Sequence, residues 1–230
     1  MRAQSRFDRV SEGFIFDLDG TLVDNMALHV EAFQGFVQRH GLPALDRQAR
    51  ARFDGKRNRD IFPDLFGRAL SEDELRRFAG EKESLYRELS RGRLAPLRGL
   101  TRLLALLEAR GIPVGIATSA PAENVPHTLR ELGLQERLTR VVRSDEVPRG
   151  KPHPDVFLAA AEAIDTAPGA CLAFEDAPMG VRAAKAAGMR VVAMTTSFSA
   201  AGFQEHGAAF DHAAGDFEEY LAGPGRWLVG

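Results

Sequence analysis

Short apolar runs that end in small or polar residues recur along the chain: "GFIFDLD" at 13–19, "IPVGIATS" at 112–119, "TRVVRSD" at 139–145, "ACLAFED" at 170–176 and "MRVVAMTT" at 189–196. Each reads as a strand buried on both faces. Between them the period changes. "LTRLLALLEARG" repeats leucine at helical spacing and stops at Gly111, and "APMGVRAAKAAG" is alanine-rich and stops at Gly188, each glycine suited to a helix C-terminus. Strand and helix alternating after residue 96 imply a parallel sheet with crossover helices.

Residues 26–95 break that rhythm. "MALHVEAFQGFVQRHG", "RQARARFDGKRNRDIFPDLF" and "SEDELRRFAGEKESLYREL" all look helical, and "SEDE" supplies a capping box from Ser71 to Glu74. A helical block directly after the first strand, before the sheet resumes near "LAPLRGL", predicts a helical cap domain over 26–95 inserted into a core of 1–25 and 96–230. The expected fold class is therefore α/β: a Rossmann-like parallel-sheet core domain with an all-helical cap. Residues 200–225, rich in Ala and Gly, give little pattern.

Composition narrows the class. A chain of 230 residues can carry a core domain and a smaller inserted one. With 44% hydrophobic and 27% charged residues, neither disorder nor a fibrous repeat is favoured. A net charge of -2 gives no general reason to expect nucleic acid. No apolar run approaches the roughly 20 residues of a membrane span, and the start has no apolar signal region. The expectation is a cytoplasmic protein, a monomer or small homo-oligomer, with no nucleic-acid or membrane partner. The single cysteine, Cys171, excludes an intramolecular disulfide and reads as a buried, inert thiol. Charge is uneven: 26–95 holds 14 Lys and Arg against 11 Asp and Glu, net +3, which leaves -5 for the rest. A basic cap over an acidic core is one reading of that split, and solvated helix faces are the plainer one.

The acids change the picture most. In open α/β sheets, ligands bind beyond the carboxyl ends of the strands. There lie Asp17 and Asp19 after the first strand, Thr118 and Ser119 after the second, and Glu175 and Asp176 after a later one, while Lys151 in "RGKPHPDVF" opens a further helix. Buried carboxylates are costly unless paired, and such a cluster suits a hard divalent cation such as Mg2+ bound together with a phosphate. "DGT" breaks the strand after Asp19, so the two acids need not point the same way. One carboxylate can attack phosphorus while the other exchanges protons with the leaving and entering oxygens. Asp24 reads as the cap of a helix starting near Met26. Histidines 40, 127, 153, 206 and 212 show no metal-ligand spacing, so zinc is not expected.

"FDLDGTLVD", "IATSA", "GKPHPDVF" and "FEDAPMGVRAAKAAG", in that order over nearly the whole chain, resemble the four motifs of the haloacid dehalogenase superfamily, in its phosphatase and beta-phosphoglucomutase branch with a helical cap. The resemblance implies Asp17 as nucleophile forming an aspartyl phosphate and Asp19 as general acid, then base. It implies Thr118 and the main chain at Ser119 as phosphoryl ligands and Lys151 as the charge-neutralising lysine. Mg2+ would be held by the Asp17 carboxylate, the Asp19 carbonyl and Asp176, with Glu175 helping directly or through water. His29 resembles the branch's cap-hinge histidine, Lys82 its cap lysine, and "GKRN", with Arg57 and Asn58, its specificity loop. Asn58 stands where the mutase pattern has arginine, and Ala120 and Pro121 replace its serine and lysine. These departures favour a Mg2+-dependent phosphatase of a small phosphorylated metabolite, a sugar phosphate, over a phosphomutase. A dehalogenase would need no metal, which Asp19 and the "ED" pair argue against. A receiver-type signalling module would lack a second acid two residues after its phosphorylated aspartate.

Overall fold

The computed structural model describes residues 11–45 and 56–229. Six parallel strands form one sheet: β1 (Gly13–Phe16), β2 (Val114–Thr118), β3 (Val141–Arg143), β4 (Cys171–Glu175), β5 (Arg190–Met194) and β6 (His212–Ala214), in the order β3-β2-β1-β4-β5-β6. This is the doubly wound, Rossmann-like order, whose direction of winding reverses beside the first strand and leaves a crevice there.

Alternation along the strands explains the three layers. Phe14, Phe16, Leu172, Phe174, Val192 and Met194 face one side, against helices α4 (Leu100–Glu108), α5 (Asn124–Glu131) and α9 (Phe217–Ala222). Ile15, Cys171, Ala173, Val191 and Ala193 face the other, against α6 (Asp155–Ala163), α7 (Pro178–Ala186) and α8 (Ala200–Glu205). Large rings fill the first interface, with Phe16 stacked on Phe174 at 4.9 Å between centroids. Small residues on the second let alanine-rich α7 approach closely, as close-packed interiors require. Gly111 and Gly188 end their helices with φ of 64° and 82°, a conformation only glycine adopts freely.

Between β1 and α4 the described chain is helical: α1 (Met26–Arg39), α2 (Asn58–Phe66) and α3 (Glu72–Ser90). These helices own an aromatic cluster of Phe36, Phe62 and Phe78, to which Phe66 adds a ring stacked 4.5 Å from Phe78. The capping box at Ser71 and Glu74 starts α3 as the sequence predicts, with both reciprocal bonds present. The helical pattern expected over 47–66 falls partly on 46–55, outside the described residues.

Three local expectations are corrected. The sheet does not resume near "LAPLRGL", where Pro96 makes only an isolated bridge to Val23 and Leu97 N–H donates to Leu22 O at 2.8 Å. Asn25, not Asp24, is the N-cap of α1, and its side chain is turned to the site instead of the helix. Lys151 does not open a helix but lies in the turn before α6, which starts at Asp155. The sixth strand, β6, was not expected: its "HAA" lacks the valines that mark the equally short edge strand β3. Among the described residues, no helix is long and apolar enough to cross a membrane.

Candidate active site

The carboxyl ends of β1, β2 and β4 converge beneath α1–α3 on one cavity. Asp17, Asp19, Thr118, Ser119, Lys151, Glu175, Asp176, His29, Lys82 and Asn58 all line it. Arg57 does not: its guanidinium donates to Asp60 at 2.8 Å and to Ser144 O at 3.3 Å, and packs on Gly150. Arg57, placed by resemblance in a specificity loop, is thus held outside the cavity by two nearer acceptors.

Asp17 follows the last residue of β1, and its N–H donates to Phe174 O at 2.9 Å, which fixes it in the crevice beside β4. Lys151 Nζ lies 2.6 Å from Asp17 Oδ1 and 2.6 Å from Glu175 Oε1. Glu175 Oε2 accepts from Ala177 N–H at 2.7 Å, at the start of α7. That carboxylate lies so close to the helix that a Cβ on Gly180 would overlap it. Asp176 accepts from the Ser197 hydroxyl and lies over Gly20, where φ is 77° and a Cβ would sit 2.0 Å from Oδ2. Gly20 is therefore required twice, for its backbone angle and for the close approach.

Asp17, Glu175 and Asp176 are all buried and offer ligand atoms within 4.8 Å of one another. One ammonium faces three acids there. Burial pushes the Asp17 carboxyl up to about 7, against the pull of Lys151 and with Glu175 adding to the push. Asp176 is raised well above the carboxylate range by burial and by its neighbours Glu175 and Asp17. Burial would lower Lys151, but Asp17 and Glu175 outweigh it and hold the ammonium well above its ordinary value. The donor set is all oxygen, under-compensated and sheltered from water, which fits a hard divalent cation.

Asp19 turns away from that cluster. Asn25 Nδ2 donates to its Oδ1 at 2.6 Å, and His29 Nε2 stands 3.5 Å from Oδ2. Lys82 Nζ lies 3.1 Å from His29 Nδ1. An ammonium only donates, so Nδ1 accepts and the ring proton sits on Nε2, toward Asp19. The imidazole is stacked on Tyr86, centroids 3.8 Å apart and planes 7° apart. Burial opposes ionisation of Asp19, but His29, Asn25 and Lys82 prevail and hold its carboxyl below the ordinary range.

Thr118 Oγ1 accepts from Ala120 N–H at 3.0 Å, and Ser119 Oγ pairs with Ser144 Oγ at 3.1 Å. The threonine hydroxyl thus shapes the turn after β2 as well as lining the cavity. Sequence reading missed Asn25, Ser197 and Glu83. Ser197 had a usable signal, since it closely follows the carboxyl end of β5. Asn25 was masked by its acidic neighbour, and nothing in the local pattern marked Glu83.

The model of the haloacid dehalogenase-like hydrolase family matches residues 14–194, and the chain belongs to that family. It is 32% identical over 199 residues to validoxylamine A 7'-phosphate phosphatase of Streptomyces hygroscopicus subsp. limoneus, covering 83% of this chain and 89% of that protein. It is 33% identical over 189 residues to beta-phosphoglucomutase of Bacillus subtilis, covering 77% of this chain and 80% of that one. Among solved structures, a hydrolase from Pseudomonas syringae superposes with a TM-score of 0.80 at 26% identity, over 91% of this chain and 96% of that one. The Rossmann-like fold read from the sequence, and the family, both stand.

Proposed function

We propose that this protein is a Mg2+-dependent phosphatase of a small phosphorylated metabolite, a sugar phosphate, acting through a phosphoester on Asp17. The observation that carries the reading is Lys151 Nζ at 2.6 Å from both Asp17 and Glu175, in a crevice that Thr118 and Asp176 share. Residues 26–95 would form the cap over a core of 1–25 and 96–230. Relatives named for a phosphate ester and for a glucose phosphate support the substrate class.

The chemistry follows from where the side chains stand. Asp17 Oδ attacks phosphorus, the bond from phosphorus to the leaving oxygen breaks, and Asp19 delivers a proton to that oxygen, releasing the alcohol. Water then attacks phosphorus, its proton passes to Asp19, and the Asp17 carboxylate leaves. Asp19 is ionised in the free protein, so the first proton enters with the substrate monoanion or is taken up on binding. Thr118 and the main chain at Ser119 hold the phosphoryl oxygens, and Lys151 offsets the charge that gathers on them. Mg2+, held by Asp17, the Asp19 carbonyl and Asp176, with Glu175 direct or through water, would supply positive charge to the phosphoryl group. His29, Lys82 and Asn58 would face the rest of the substrate from the cap.

A phosphomutase, which returns phosphate to the same sugar, is the second reading, favoured by the 33% identity to beta-phosphoglucomutase. Arg57, bound to Asp60 and Ser144 away from the cavity, supports hydrolysis instead. Phosphate release measured across sugar phosphates, phosphoglycolate, nucleotides and pyrophosphate, with Mg2+ and with EDTA, tests the reading. Release from a sugar phosphate that EDTA abolishes is expected. Isomerisation of the sugar phosphate without free phosphate would make the protein a mutase, and full activity in EDTA would end the metal-dependent account.

A further inference from the structure

Across the cavity from Asp17 lies a fourth buried carboxylate, which the chemistry above does not use. Glu83, on α3, is 4% exposed. Its Oε1 accepts from Lys82 Nζ at 2.9 Å and from Asn58 Nδ2 at 2.7 Å. Its Oε2 accepts from Asn124 Nδ2 at 2.6 Å. Asn124 belongs to the other side: it is the fully buried first residue of α5, on the segment that leaves Thr118 and Ser119. Its Oδ1 accepts from Arg87 Nη1 at 2.8 Å. Glu83 and Arg87 are one helical turn apart on α3, so a single helix face grips both ends of one amide.

We propose that Glu83 is a positioning residue that couples docking of α1–α3 onto the 118–124 segment to the placement of Lys82 and Asn58 in the cavity. The inference rests on the phosphatase reading for its activity readout. A buried carboxylate is tolerated only when its acceptor sites are filled, and here one donor comes from the sheet side and two from the helical side. With Oε1 in place, Lys82 is fixed between the carboxylate, His29 and the face of Phe33, 4.5 Å from the ring centroid. If α3 lifts, Oε2 loses Asn124 and Arg87 loses its acceptor together. The same event that seats the helices over the phosphoryl site therefore completes the compensation of Glu83 and holds Lys82 and Asn58 at its mouth.

The test exchanges the two ends of one hydrogen bond. Asn124→Asp sets a carboxylate against Glu83, and Glu83→Gln removes the charge that holds Lys82. The double variant restores an N–H···O contact with its polarity reversed and gives Arg87 a carboxylate to hold. With the sugar phosphate that the wild type hydrolyses best, kcat/KM is expected to fall about 100-fold in Asn124→Asp and about tenfold in Glu83→Gln, and to recover at least about tenfold from the Asn124→Asp level in the double variant. A dipolar distance between spin labels at Ser84→Cys and Leu158→Cys, both exposed, reads docking directly in Mg2+ and inorganic phosphate, since Cys171 is buried. The distribution is expected to broaden in Asn124→Asp and to sharpen again in the double variant. A double variant no better than Asn124→Asp in either readout, or wild-type behaviour of Asn124→Asp, overturns the coupling. If no phosphate ester is turned over at all, the phosphatase reading falls while the distance distributions still decide the coupling.

Discussion

Two groups of buried carboxylates face each other across the cavity, and the protein treats them in opposite ways. On the helical side, Glu83 stands alone with one ammonium and two amides, and burial is outweighed by Lys82, His29 and Asn58, so its carboxyl is held below the ordinary range. On the sheet side, Asp17, Glu175 and Asp176 share the single ammonium of Lys151, and burial pushes both aspartates up. The first is a closed structural network. The second carries a deficit of positive charge that only binding can fill, the kind of local instability that marks functional sites.

The comparison breaks most readily at Asp17. Asp17→Asn should lower kcat by at least about 10⁴-fold in a phosphate-release assay, because the amide cannot form the phosphoester. Near-wild-type turnover would end the sheet-side account. Lys151→Met, which strips the shared ammonium from Asp17 and Glu175, should cost about 10²–10³-fold in kcat and lower Tm as well.

The deficit also has a pH signature. Asp17 rises from an ordinary 3.8 to about 7 and Asp176 rises in the same direction, so between roughly pH 4 and 7 these two carboxyls bind more protons in the folded, metal-free protein than in the unfolded chain. Their contribution to the unfolding free energy in EDTA should therefore decrease as pH rises through that window, against the opposite contribution of His127 and His212, whose imidazoles burial holds below their ordinary value. Mg2+, which favours the ionised carboxylates, should oppose the fall. Calorimetry of the wild type and Asp176→Asn at pH 5 and pH 7.5, with and without Mg2+, reads both effects as the difference between the two proteins, and a metal-free wild type that gains Tm relative to the variant over this interval would contradict the shifts.

Removing one acid from each side sharpens the contrast. Asp176→Asn relieves like-charge crowding and should raise Tm in EDTA by about 2–4 °C while losing the stabilisation by Mg2+. Glu83→Gln removes a satisfied charge and should lower Tm by a similar amount, with the Mg2+ effect retained. Smallest is Ser71→Ala, which deletes the cap of α3 far from either cluster. Its cost is about 1 kcal/mol or less by denaturant titration, with kcat/KM unchanged.

Much of this was legible beforehand. The first five strands, the leucine and alanine helices and the Ser71 cap follow from period and cap chemistry, which are local. The acids and the hydroxyls were legible because residues that end parallel strands are brought to one edge by topology alone, and Lys151 through the resemblance of "GKPHPDVF" to a family motif. Which partner each side chain binds was not. Arg57, read by resemblance as part of a specificity loop, is held by Asp60 and Ser144, and Asn25 lies beside Asp24, the more conspicuous capping acid.

By itself the sequence determined which residues meet at the carboxyl ends of the sheet, since alternation and strand-end position need no knowledge of side-chain contacts. Only the tertiary structure decided how each charge is compensated: Lys151 shared between Asp17 and Glu175, Asp19 turned to Asn25 and His29, Glu83 closed onto Asn124. Such pairings join residues up to 134 positions apart, carry no period, and depend on geometry that exists only after the layers have packed.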